Sequence, residues 1–388
     1  MSNRKLDLEK FLDAIPPELL KQYFDQKSKD FGKTVYAGAM TTRAIIAFLD
    51  SKDDDDIRDV IRQDIIQIND LCERNIGLLV EEVNKRQIFM HERESREELS
   101  MRVFLQYRDV FNYAHDRYYF THSSGKISEH NISSKTLDIT DDKRNLFGSK
   151  VREFFSKSAK GGNCIIRYHQ KNGGLMIAIV RGSYKKAVST WDDDVMKCTK
   201  TLVYRPAEED ILEFNLLEQK LCIKTRTQKD REMYISIFVE DIICDKSQAV
   251  RRDRDDTFDL SVLQDAEFRF DINEDVQSVY LLEVRVSMAG VREPDWILRS
   301  KDVLSSLKED VRGLRINNGV IQQAKFLFRL NIDRKVKKVS FEITPPNATN
   351  LNKKKYARII NQYLERIGIK KNAEVFASRV VEDSGALV

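Results

Sequence analysis

The sequence predicts an α+β protein, with a helical N-terminal region, a mainly antiparallel sheet-rich region and a C-terminal helix. Three observations carry this expectation. Apolar residues recur at three- and four-residue spacing through roughly the first 160 positions. From about residue 163, short β-type runs alternate with turn-forming residues. A final apolar stripe at helical spacing follows Pro345-Pro346. With 388 residues, 41% hydrophobic and 33% charged, the chain can fill two or three domain cores. Fifteen Gly and six Pro are too few for a disordered or linker-rich chain. We expect a helical domain over residues 1–160 and a sheet-rich α+β domain over 161–388, the latter ending in a basic hairpin-helix segment.

Asp7 is placed to cap a first helix, and Pro16-Pro17 breaks it and can open the next, because proline is tolerated in a first helical turn. Ile57, Val60, Ile61, Ile65 and Ile68, continued by Leu71 and Cys72, form one core-facing stripe, and the Asp53–Asp56 run complements the amide dipoles at its start. Ser95 with Glu98 matches a capping box. The aromatic cluster Phe111, Tyr113, Tyr118, Tyr119 and Phe120 has the chemistry to stack on bases, but mixed flanking charges favour core packing. Residues 121–143 are polar and form the best candidate for a domain boundary.

In the second half, runs at 164–168 and 175–180 flank KNGG, a strong hairpin signal. Further strands are expected at 202–204, 211–214, 221–225, 279–286, 324–332 and 336–344, with a helix over about 228–239 and a turn at Asp333-Arg334. Tyr356, Ile359, Ile360, Tyr363, Leu364 and Ile367 define the last helix, and Gly368 supplies its C-cap.

Three segments carry a resemblance: ESREELSMRVFLQYRDVFNYAHDRYYF at 94–120, VRGSYKK with LVYRPAEEDILEFN between 180 and 215, and LCIKTRTQKDREMYISIF at 221–238. They resemble pieces of an uncharacterised bacterial family found among mobile-element and phage-defence genes. The resemblance implies a bacterial, defence-associated accessory protein. It carries no activity and no site residues with it.

The chemistry-bearing residues exclude more than they assign. The five cysteines are odd in number and widely spaced, so neither a disulfide framework nor a zinc knuckle is expected, and Cys222 and Cys244 read as core thiols. No metal-binding histidine pair, phosphate-cradling glycine loop or serine elbow is present, so we assign no catalytic residue, metal or cofactor. Two acidic sets fit a metal-dependent nuclease superficially: Asp210 with Glu218 and Lys220, and Glu283 and Arg285 with Asp271 or Asp275. A charged turn and a surface ion pair are their ordinary explanations. No apolar run is long enough for a membrane span, and MSNRKLDLEK lacks a signal-peptide core; the expected location is cytoplasmic.

The net charge of +4 is small, but it is unevenly placed. Residues 333–372 hold eleven basic and three acidic side chains, a local charge of +8. Within this segment Lys335, Lys337 and Lys338 lie on the hairpin, and Lys353, Lys354, Lys355 and Arg358 lie around the start of the last helix. Asn352 to Lys355 are expected to open that helix, where phosphate oxygens meet both ammonium groups and free N–H groups. These seven residues are the candidate contacts to a nucleic-acid backbone. Solvated charge and a surface for an acidic protein partner are the alternatives. The function expected is a non-catalytic nucleic-acid- or partner-binding component of a multi-protein bacterial system. A nuclease with a dispersed acidic site and a structural adaptor for a partner ATPase or nuclease are its rivals.

Overall fold

The computed structural model of the chain describes residues 8–50, 56–122, 125–134, 136–158, 160–171, 173–192, 198–245, 257–265, 267–288, 295–309, 316 and 319–371. The chain divides into two compact units, Met1–Ser123 and Ser124–Val388. The division therefore falls at the start of the polar stretch over 121–143, not at residue 160. Asp7 and the Asp53 to Asp55 part of the acidic run lie outside the described residues.

The first unit is helical: α1 (Leu8–Asp13), α2 (Pro17–Phe31), α3 (Thr42–Leu49), α4 (Asp56–Lys85), α5 (Arg96–Gln106) and α6 (Arg108–His122). Pro17 opens α2, and Gly32 closes it in the left-handed conformation. The Ser95 hydroxyl accepts from the Glu98 amide at 3.0 Å, which caps α5 as its sequence predicts. The α4 stripe is buried at Ile57, Ile61, Ile65, Ile68, Leu71 and Cys72, while Val60 is exposed. Phe111 and Phe120 are core residues, and Phe111 packs edge-on against Phe104 with centroids 5.0 Å apart, so this part of the aromatic cluster is packing.

The second unit is built on one antiparallel sheet of ten strands in the order β2-β3-β6-β7-β1-β12-β11-β10-β8-β9. Along the chain come β1 (Ile127–Asn131), α7 (Asp141–Lys157), β2 (Cys164–Lys171) and β3 (Gly174–Gly182). A two-stranded ribbon, β4 (Lys186–Asp192) and β5 (Cys198–Tyr204), follows, then β6 (Ala207–Asn215), β7 (Lys220–Lys224) and α8 (Gln228–Ile237). The remainder is β8 (Val276–Met288), β9 (Asp295–Arg299), α9 (Val303–Glu309), β10 (Gly319–Ile332), β11 (Lys335–Thr344), β12 (Ala348–Thr349) and α10 (Ala357–Arg366). Both predicted hairpins are present: Lys171 pairs with Gly174 beside Gly173 at φ +77°, and Asp333 and Arg334 adopt φ +50° and +59°, the two left-handed positions of a tight strand reversal. Thr227 caps α8 by accepting from the Asp230 amide, and a π-helical turn, Phe238–Ile243, extends it. Cys244 is a correction: it is exposed and closes that turn at φ +63°, outside the core.

Register shows that the sheet carries its helical layers on opposite faces. Residues paired across a ladder share a face, and neighbours along a strand alternate. Ser128 pairs with both Ile223 of β7 and Ala348 of β12, so it shares a face with Ile223, Leu212 and Ile177, which pack with Phe147 and Phe155 of α7 and Tyr234 of α8. Ile127 pairs with Thr349 and through it with Ile343, on the face where Phe326, Phe328 and Phe341 meet Ile360, Tyr363 and Leu364 of α10. One central strand thus serves two cores on opposite sides.

The α7–α8 layer is pinned by a buried ion network. Arg181 of β3, with a fully buried side chain, meets Asp210 of β6 at 2.5 Å, Asp230 of α8 at 3.0 Å and Glu208 at 3.0 Å. Lys160 bonds both Asp230 oxygens at 2.7 and 2.8 Å, Tyr234 donates to Asp210 at 2.9 Å, and the guanidinium lies over the Phe155 ring. Removing one partner strands the others in a dry core. Arg181→Ala should cost about 3–5 kcal/mol of unfolding free energy in urea, whereas Arg226→Ala, which removes the exposed partner of Glu208, should cost less than about 1 kcal/mol. Similar small losses in both would contradict the pinning role.

Candidate functional site

The basic segment is positioned by β1. Ile127, Ser128, Glu129 and His130 are four consecutive buried residues, and three are polar. On the α7–α8 face, the Asn347 amide nitrogen lies 3.3 Å from His130 Nδ1, His130 Nε2 lies 3.0 Å from Ser128 Oγ, and that hydroxyl donates to the Ile223 carbonyl at 3.3 Å. The order of residues resembles a nucleophile, a base and an orienting group. The hydroxyl hydrogen of Ser128 is directed to the Ile223 carbonyl, which assigns Nε2–H as the donor to Ser128 and leaves Nδ1 to accept from the Asn347 amide. In this arrangement the three groups link β1 to β7 and to the segment that follows β11. On the α10 face, Glu129 meets Lys220 at 3.0 Å and accepts from the Asn352 side chain. Burial alone would raise the Glu129 carboxyl, but Lys220, Asn352 and Lys370 outweigh it and hold it below the usual carboxylate value.

Asn352 lies in a single 3₁₀ turn, Leu351–Lys353, whose Leu351 is buried in the α10-side core. Lys353 donates to the Gly125 carbonyl, just ahead of β1. The turn is therefore tied to β1 through both residues. It does not open α10: Lys354 is extended, and the helix starts at Ala357 with Tyr356 as its N-cap, which makes no side-chain cap bond. The expectation that Asn352 to Lys355 open the helix is corrected. No Ser, Thr, Asp or Asn stands at 354–356 to cap an earlier start.

Lys354, Lys355 and Arg358 are exposed, and Gln362 and Arg366 continue the exposed side of α10 at four-residue spacing. The helix begins at the C-terminal end of β11, since β12 turns back to pair with Ile343 and Thr344. Tyr363 packs on Phe328 with centroids 5.3 Å apart, and Phe328 pairs with Val339, so α10 runs back towards the hairpin turn. At that end Lys335 pairs with Ile332 and Lys337 with Leu330, which places both on the α10 face. Lys338 pairs with Arg329 and lies on the opposite face. All three are exposed. The ten residues of β11 span roughly 30 Å, so the two lysine groups stand apart, at the ends of one track. The expected seven-residue set is thus divided: Lys335, Lys337, Lys354, Lys355 and Arg358 share a side, Lys353 is half-buried behind them, and Lys338 is separated.

The structure also adds Lys224 of β7, which the sequence presents only as part of an apolar strand. It lies on the α10 face beside Ile127, is 5% exposed, and its side chain meets that of Lys353. Burial and the Lys353 ammonium lower its pKa to about 7. Lys353 is itself lowered by burial, against the contact with Lys224, which raises it, and with a smaller lowering by Lys354.

The two nuclease candidates are not assembled. Asp210 shares the α7–α8 face with its ladder partner Ile179 and bonds Arg181, whereas Lys220 pairs with Asn215, five positions further along β6 on the other face. Glu218 is an exposed turn residue. Glu283 pairs with Arg299 and Arg285 with Asp295 across β8 and β9, which are surface ion pairs. Among the described residues, no group of three or more His, Cys, Asp or Glu side chains is arranged to hold a metal ion, and no helix is long and apolar enough to cross a membrane. No family model matches the chain, and no curated protein matches it.

The lowered Lys224 value has a measurable sign. Between about 7 and its ordinary 10.5 this lysine binds less proton when folded than when unfolded. Stability should therefore rise with pH through that window, with the full penalty present below pH 7. The urea midpoint of the parent should increase from pH 7 to pH 9 at constant ionic strength, and Lys224→Met should flatten the rise. An unchanged slope in the variant would show that Lys224 is not the group responsible.

Proposed function

We propose that this chain is a non-catalytic, nucleic-acid-binding component of a multi-protein bacterial system, acting in the cytoplasm in defence against phage or plasmid DNA. The single observation that carries the binding reading is the basic track on one side of the second unit. Lys354 and Lys355 precede α10, Arg358 and Arg366 lie on its exposed side, and Lys335 and Lys337 continue at the hairpin end. Exposed cations spaced along a line of roughly 30 Å match the regular charge of a phosphate backbone, and contacts of this kind fix position without reading sequence. The defence setting is supported by the three segments that resemble a family from phage-defence and mobile-element loci.

A second reading, docking of a protein partner, is favoured by the β4–β5 ribbon. Its Val188, Leu202, Val203 and Tyr204 are exposed, and Val188 faces Leu202 while Ala187 faces Val203, so apolar groups occupy both faces. A component that holds nucleic acid with α10 and a partner with the ribbon would use both surfaces.

Fluorescence anisotropy with labelled DNA and RNA tests the track. The logarithm of the association constant should fall linearly with the logarithm of salt, with little dependence on base sequence. Lys354→Ala/Arg358→Ala should weaken binding evenly and reduce the slope by about two, one per lost contact. The fold should survive, because neither residue is buried. If the parent bound no polynucleotide at low salt, or the double variant bound as the parent does, the track would not be a backbone contact.

A further inference from the structure

We propose that β9, an edge strand of the ten-stranded sheet, pairs antiparallel with β9 of a second copy of this chain, centred on Ile297, so that the sheet continues through a two-fold axis. The inference is independent of the basic track and of the β4–β5 ribbon.

Among the described residues β9 has β8 as its one neighbouring strand, so its other side carries unpaired backbone groups. The Ser300 amide donates to the Leu282 carbonyl at 3.1 Å, and the same register continues through Leu298 with Val284 and Trp296 with Val286. These alternate positions turn their N–H and C=O groups towards β8, and Asp295, Ile297 and Arg299 turn theirs outwards. In antiparallel self-pairing about Ile297, Asp295 faces Arg299 of the second copy and Ile297 faces its counterpart, as a two-fold axis requires. Every outward group then finds a partner.

The side chains on both faces fit that register. On one face Arg285 donates to Asp295 at 3.0 Å, and Arg299 meets Glu283 at 2.7 Å while 70% of its own side chain stays exposed. Pairing makes a row of alternating sign: Glu283 and Arg299 of one copy, then Asp295 and Arg285 of the other. On the other face Val284 and Val286 belong to the α10-side core and Leu298 packs against it, whereas Trp296 is 42% exposed. The same register sets each Trp296 opposite Leu298 of the second copy and extends that core across the axis.

Natural sheets guard exposed edges with lysine, proline or bulges. β9 reads DWILR and has none of these; its two charges stand at opposite ends with opposite sign, which suits an inverted copy of itself. At the far edge β2 reads CIIRYHQK, with basic residues and no acidic one, so its self-pairing offers no such match.

Sedimentation velocity of the full chain over a concentration series, without nucleic acid, tests the pairing. The parent should pass from the 45.3 kDa monomer towards twice that mass as concentration rises, because a five-residue pairing is a small interface. Asp295→Lys and Arg299→Glu each set like charges opposite one another at both symmetry-related contacts and should weaken association about tenfold or more. An equimolar mixture of the two variants should recover it, since every contact between them again joins opposite charges. Ile297→Pro is the further variant: it removes an outward N–H, spares the ladder to β8 and should abolish association. A parent that stays monomeric throughout, association that survives these substitutions, or a mixture as monomeric as its folded components would overturn the proposal.

Discussion

A strand buried on both faces must satisfy every polar group it carries, and β1 carries three such side chains in succession: Ser128, Glu129 and His130. The sheet meets this requirement from opposite directions. Asn347 and the Ile223 carbonyl complete Ser128 and His130 on the α7–α8 face, while Lys220 and Asn352 complete Glu129 on the α10 face. Because residues 347 and 352 both follow β11, satisfying β1 also fixes where the chain goes after its longest hairpin. The 3₁₀ turn, its lysines and the start of α10 take their places from that accounting.

The same joint explains why positive charge accumulates on one side. Helices α7 and α8 cover one face of β2, β3, β6 and β7, and α10 covers the other face of β8, β10 and β11. The turn before α10 therefore lies over the side of β7 that carries Lys224, and Lys353 is pressed towards it. Several buried cations of the unit are paired with carboxylates. Arg181 has three carboxylates around it, Lys160 has Asp230, and Lys370 has Glu365.

Where a local signal is self-contained, the sequence suffices. The Asp333-Arg334 reversal, the Ser95 cap and the buried stripe of Ile360, Tyr363 and Leu364 each follow from residues within one or two turns of each other. Exposure of Arg358 follows from the same stripe, whereas Lys354 lies ahead of the helix. What depends on distant partners is hidden. ISEHN has a single apolar residue, so β1 has no alternation to detect, and its strand character comes from pairing with β7 and β12. Lys337 and Lys338 look equivalent in a basic run, yet strand alternation puts them on opposite faces. Lys224 sits in an apolar run like any strand residue, and it is the return of the chain at residue 353 that brings a second lysine to it.

The face assignment is what binds these observations into one account, and lysine acetylation footprinting with and without a saturating single-stranded oligonucleotide measures it residue by residue. The account predicts protection of Lys354 and Lys355 and, with an oligonucleotide long enough to span β11, of Lys335 and Lys337, while Lys338 stays as reactive as in the free protein. Protection of Lys338 with Lys337 and Lys354 left reactive would contradict it, because the ligand would then lie on the face that α10 does not occupy.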